Sequence, residues 1–493
     1  MIQFSCETRS NPYRFFYVFF LLGTMFLFSG CMAKHQSIVW QDLHPTCGDL
    51  VAQLDAAIVS EHVRDVQNKR IHGFPMLRTN RFWSSYAHEL ETEKEAPFWL
   101  TQLESQALMD WSIEKKNLLP ASQEKLDLWT QKYFHQNVDE ALQQCMQQTH
   151  AFRLKHLPDI VAASKVPDDY QTWKRVVGLY PLTAVPFLMG VHAWQDDAKA
   201  SFQEPLVADE SDLHYHMKVT EGAALEHPIN TKGQGKNPLN IPIPDDSEMK
   251  HLFEHFAPQL TILAATDVDH LGEIKINSAQ QSIHVKNPVV YTHISHTRWH
   301  GKALLQLNYM FWFSARPKTS VFDLLGGELD GLIWRVTLTE DGRPLLYDAI
   351  HPCGCYHMFF PSQSLSLKEK EDFYEEGALV PQFIPNSFGD HLELVIKSQT
   401  HSLLRIQKAG SNKGVPYQQR PYHALRSIPY AEGFKSMFDE DGLVAGSERG
   451  ERFFFWPMGI ESAGAMRQWG HHATEFVGER HFDDANLIDR YFK

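Results

Sequence analysis

Leu305-Gln306-Leu307-Asn308-Tyr309-Met310-Phe311-Trp312-Phe313 is the stretch whose reading decides the fold. Leu305, Leu307, Tyr309, Phe311 and Phe313 alternate, which predicts a strong strand with one apolar face. Gln306 and Asn308 interrupt the run and argue against a membrane span. Working outward, residues 289–291 are short and β-prone. Residues 332–338 and 345–350 flank Thr339-Glu340-Asp341-Gly342, where the Asp-Gly step predicts a hairpin. Residues 392–396 and 403–406 predict another around Ser398-Gln399-Thr400. The region 256–410 therefore reads as a mainly antiparallel β domain.

Upstream the period changes. Leu50, Leu54 and Ile58 recur every four residues. Leu100, Leu103, Ala107 and Trp111 form a second stripe, Leu126, Trp129 and Tyr133 a third, and Val138, Ala141, Leu142 and Cys145 a fourth. That spacing predicts an N-terminal helical bundle over residues 31–202, with Pro120-Ala121-Ser122 as a break and N-cap. Residues 203–255 carry Pro228, Pro238, Pro242, Pro244, Gly233 and Gly235 without sustained period, and read as a connection. Residues 411–493 read as a mixed C-terminal region packed on the β domain, with a short helix near its end. The fold class expected is α+β.

The chain opens with Arg9 and Arg14 against Glu7, then an apolar run over residues 15–28, then Ser29-Gly30-Cys31. A basic start, an apolar core of that length and small residues before a cleavage point make a secretory signal. The ending resembles the lipobox of bacterial lipoproteins: an apolar residue, two small ones and a cysteine. Residues 1–30 are then a signal peptide, and Cys31 carries the lipid. The resemblance implies attachment to the cell envelope. Met32, which is not Asp, implies the outer membrane facing the periplasm.

The net charge of −14 becomes −15 once residues 1–30 are removed, because two basic residues and one acidic one leave with them. With no basic run, such a chain is a poor nucleic-acid binder. Its lipid on Cys31 gives it a membrane partner, and a protein or envelope polymer is a further candidate. Of six cysteines, Cys6 leaves with the signal. Cys47 and Cys145 both fall in the helical half, and an oxidising compartment predicts a disulfide between them.

The most specific local sequence is His351-Pro352-Cys353-Gly354-Cys355-Tyr356-His357. Imidazole and thiolate are the preferred ligands of zinc and some other transition-metal ions. His351, Cys353, Cys355 and His357 are the candidate ligands, with His300 as a supplement from the His293, His296, His300 group. Pro352 and Gly354 must bend the chain for these to meet. The competing readings are a short Cys353–Cys355 disulfide or two small buried residues. A metal centre here would make the protein a metal-dependent hydrolase. Otherwise it is a non-catalytic lipoprotein that binds a protein or envelope polymer, with the cysteines structural.

Other motifs fail. There is no Gly-x-Ser-x-Gly, no His-Glu-x-x-His and no phosphate loop. Asp267-Val268-Asp269 lacks oxygen-rich residues at the later calcium-ligand positions. The run from Trp469 to Asp484 mixes histidines and acids and reads as a solvated rim. Asp323, Glu328 and Asp330 read as a loop.

Overall fold

The computed structural model describes residues 44–493 except 208, 219–236, 278–279, 285, 370–374 and 432. Residues 1–43, which include the expected signal peptide and the expected lipidation site Cys31, lie outside it.

The helical stripes form where the periodicity places them. Helix α1 (Pro45–Ser60) is followed by the hairpin β1 (Lys69–Ile71) and β2 (Phe74–Thr79). Next come α2 (Arg81–Ser85), α3 (Glu95–Asn117), α4 (Pro120–Phe134), α5 (Val138–Lys155) and α6 (Leu157–Ala163). Asn80 caps α2 by accepting from the Trp83 N–H, and Asn137 with Glu140 forms a capping box on α5. The α4 break differs from expectation. Pro120 itself opens the helix, as suits a residue with fixed φ and no N–H, and Ser122 instead donates to Glu61 at 2.5 Å. Leu50, Leu54, Ile58, Ala107, Trp111, Ala141 and Leu142 are buried together. Cys47 and Cys145 are joined there as a disulfide, with Cα atoms 5.5 Å apart.

Helices α7 (Thr172–Val177) and α8 (Tyr180–Ser201) follow. Among the described residues no helix is long and apolar enough to cross a membrane. The segment read as a bare connection contains β3 (Leu213–Met217) and α9 (Asp246–His255), the latter held by an Asp245–Glu248 capping box. The remaining strands are β4 (Gln259–Leu263), β5 (Glu273–Asn277), β6 (Gln280–His284), β7 (Val289–Trp299), β8 (Lys302–Arg316), β9 (Gly327–Leu338), β10 (Pro344–Ile350), β11 (Met358–Pro361), β12 (Leu392–Lys397), β13 (Leu403–Lys408), β14 (Val415–Pro421), β15 (Ile428–Tyr430) and β16 (Gly433–Lys435). Short helices α10 (Arg452–Phe455) and α11 (Leu487–Tyr491) complete the α+β chain.

Ten strands share one sheet in the order β11-β10-β9-β8-β7-β14-β3-β4-β12-β13. The two predicted hairpins, β9–β10 and β12–β13, are present. The sheet is nevertheless mixed. Strand β14 lies parallel to both β7 and β3, and β12 lies parallel to β4. Those pairings join residues more than a hundred positions apart, so no local turn signal announces them. Strand β8 is covered on both faces. Leu305, Leu307, Tyr309, Phe311 and Phe313 meet α9 and the end of α8, whereas Met310 and Trp312 meet the C-terminal segment at Trp469 and Phe482. The helical half is keyed to that segment by Arg426, which is buried against Asp65 and Asp110.

Candidate functional site

The His351-to-His357 segment is the connection between β10 and β11, at the end of the sheet. Its tight turn is closed by the Gly354 N–H on the His351 carbonyl at 2.8 Å and the His351 N–H on the Cys355 carbonyl at 3.0 Å. Gly354 has φ +93°, and a Cβ there would stand 2.4 Å from the Ala473 carbonyl oxygen. Both facts demand glycine. The bend expected at Pro352 and Gly354 is therefore formed.

The imidazoles do not join the thiols. His357 Nε2 lies 2.9 Å from Asp348 Oδ2, and Asp348 is also gripped by Arg335 from β9. Burial, only partly offset by the Asp348 hydrogen bond, pulls His357 down to about 3, so it is neutral. His351 Nδ1 faces Asp330 at 3.4 Å, and Asp330 and Asp269 bracket the buried His401 at 2.8 and 3.0 Å. Burial would raise Asp330, but His351 and His401 outweigh it and hold the carboxyl well below its usual range. His300 sits in the β7–β8 turn beside Asp489, stacked on Trp299. Among the described residues no group of three or more His, Cys, Asp or Glu side chains is placed to hold a metal ion. Each of the three histidines faces a different carboxylate, at 3.4 Å for His351, 2.9 Å for His357 and 3.9 Å for His300.

What the turn does line is a cavity of about 510 Å³. Cys353, Cys355, Tyr356 and His357 form one side. The opposite wall comes from α8, through Pro186, Phe187, Gly190, Val191, Trp194 and Gln195, and from Phe455 and Phe476. Pro186 lies inside α8 and cannot donate to the Leu182 carbonyl, so the helix is weakened where it meets the cavity. Volume and largely apolar walls match those of small-molecule sites.

Three carboxyl groups reach this cavity: Glu376, Glu451 and Glu475. Burial pushes Glu451 up to about 7 against the attraction of Arg316 and Arg449. Its carboxyl accepts no hydrogen bond from the described residues and lies against Gly464, where a Cβ would stand 2.1 Å from Oε1. Burial and the neighbouring Glu475 push Glu376 up to about 7, despite two backbone N–H donors at 2.6 and 2.9 Å. Glu475 pairs with Arg480 at 3.1 Å and accepts a hydrogen bond from the Tyr491 hydroxyl at 3.0 Å. The cavity therefore holds two buried carboxyls raised from the usual carboxylate range toward neutral pH.

Cys353 and Cys355 are free thiols. The Cys355 thiol hydrogen-bonds the Cys353 sulfur. This lowers Cys353 against burial, with help from His351, and raises Cys355 well above the usual thiol range. Such a pairing concentrates thiolate character on one sulfur.

The residues facing the thiols come from four distant segments. Glu475 and Arg480 sit in the run read as a solvated rim. That run is in fact buried, with His472, Glu475, Arg480 and His481 all inside. Glu376 and Glu451 carry no local signal. Of the second histidine group, His293 and His296 lie on β7, and burial lowers them to about 3 and 4. Comparison with protein-family models, curated proteins and solved structures found no match to this chain.

Proposed function

We propose that this chain is a lipid-anchored protein of the bacterial cell envelope that binds a small, mostly apolar molecule beside the β10–β11 turn, with Cys353 and Cys355 as its reactive groups. One observation carries the reading: both thiols and two protonatable carboxyls converge on one apolar cavity of about 510 Å³. Aromatic walls supply apolar contact area. Glu376 and Glu451 offer O–H donors below about pH 7 and charge above it. Cys353 would be the nucleophile toward an electrophilic or disulfide-bearing ligand, and Cys355 the donor that steadies its thiolate. A metal-dependent hydrolase at His351, Cys353, Cys355, His357 and His300 is less well supported, because its ligands point to separate partners.

Lipid on Cys31 and residence at the outer membrane, facing the periplasm, rest on residues 1–32. The Cys47–Cys145 disulfide suits that oxidising compartment. The test is binding of a fluorescent acyl probe. Gly190 faces the cavity, and nothing lies within 4 Å of a Cβ built there, so Gly190→Trp fills space without breaking structure. One probe per chain, weakened at least tenfold by Gly190→Trp, supports the reading. Equal affinity in both proteins rejects it.

A further inference from the structure

The outer side of the cavity wall is itself apolar and uncovered. Trp173, Val176, Leu182, Met189, Phe453 and Phe454 are all exposed, Leu182 and Met189 at 71% and 70%. They come from α7, α8 and α10, which pack together through Trp456–Met458: Gly178 lies against Pro457, and Phe187 meets Phe455 at 5.2 Å edge to face. Exposed large apolar side chains concentrated on three elements that pack together go beyond the scattered exposure of ordinary surfaces and mark an interaction site. Met189 and Phe454 are exposed, while their neighbours Gly190 and Phe455 line the cavity. Face and cavity wall are two sides of the same elements.

Charge selects the occupant. Residues 170–195 contain no Asp or Glu, in a chain carrying 60 of them. Lys174 and Arg175 are paired with Glu461 and Glu479, which leaves the face close to neutral. A face without acids spares an acidic protein repulsion from an anionic membrane. The tether is short as well. Between Cys31 and α1 stand residues 32–44, which reach at most roughly 50 Å even if fully extended.

We infer that α7, the first half of α8 up to Met189 and the Phe453–Phe454 corner dock on the lipid bilayer, with Trp173, Leu182 and Met189 entering its interfacial layer, and that Asp196 and Asp197 at the far end of α8 stay in water. This rests on the lipid-anchor reading only for its choice of membrane. The contact is apolar, so salt leaves it largely unchanged. It also makes a membrane-derived amphiphile with one acyl chain the natural class of cavity ligand.

The full chain, purified in detergent and reconstituted with phosphatidylethanolamine–phosphatidylglycerol vesicles bearing brominated acyl chains, tests this. Trp173 emission should be quenched, and Trp173→Phe should remove at least half of the quenched signal. Leu182→Glu with Met189→Glu should abolish quenching while the thermal midpoint and fatty-acid labelling of Cys31 stay unchanged. Labelling absent with quenching retained would sink the anchor alone and leave docking supported. Quenching that persists in both variants overturns the docking. So does a dimer in detergent that the double variant splits, which would assign the face to a second copy.

Discussion

Asp348 joins Arg335 and His357 at one buried point: it accepts from Arg335 Nε at 2.8 Å and lies 2.9 Å from His357 Nε2, on the strand that leads into the cysteine turn. Arg335→Leu would leave that carboxylate without its cation. A charge so stranded costs about 3–5 kcal/mol, and denaturant unfolding should show a loss of that order. The Arg335→Leu, Asp348→Leu double variant should recover part of it.

His357 also sets a sign for acid sensitivity. Its folded value of about 3 lies below the ordinary 6.5, so the unfolded chain binds the extra proton between them. Its contribution is fully present above about pH 6.5 and is lost as pH falls toward 3, at no more than about 1.4 kcal/mol per pH unit. His357→Gln should flatten the slope of stability against pH across that window. An unchanged slope would show that the imidazole is not buried neutral.

The Cys47–Cys145 bridge spans 98 residues of sequence. Replacing both cysteines with alanine should cost about 2–5 kcal/mol, chiefly by freeing the unfolded chain. Mass spectrometry of alkylated, unreduced protein should find this pair blocked and Cys353 and Cys355 open to reagent once unfolded.

Gly354→Ala tests the turn. Positive φ with a Cβ 2.4 Å from a carbonyl oxygen should destabilise by at least about 1–3 kcal/mol. Because the turn carries both thiols, probe binding should weaken further than in an equally destabilised variant remote from the cavity.

Burial raises Glu451 to about 7, so the carboxyl is neutral below that pH and anionic above it. An anionic acyl probe should bind best below pH 7 and weaken as pH rises, by at most about tenfold per unit for this group. Glu451→Gln should remove its share of that dependence and strengthen binding at high pH, leaving the share that Glu376 contributes in the same cavity.

Much of the local structure was legible in the sequence. The apolar stripes of α1, α3 and α5 at three- and four-residue spacing and the alternation of β8 mark faces that must be buried, and Asp341-Gly342 marks one hairpin. The Cys47–Cys145 pair followed from location alone. What stayed hidden was long-range. Strand β14 inserts between β7 and β3, and β3 lies in a stretch too polar to suggest a central strand. The site was half visible. The turn residues stood out by type, but their direction depends on partners such as Asp330, Asp348 and Ala473 that lie on other elements. Glu376 and Glu451 are ordinary in sequence and become unusual only through burial.

The most direct test of the thiol-lined cavity is N-ethylmaleimide labelling of the folded, reduced protein, read by peptide mass spectrometry at Cys353 and Cys355. Free protein should be labelled at the turn, and saturating acyl probe or Gly190→Trp should each slow that labelling at least tenfold. Labelling at the same rate with probe bound would contradict the account, because the ligand would then lie away from the cysteines.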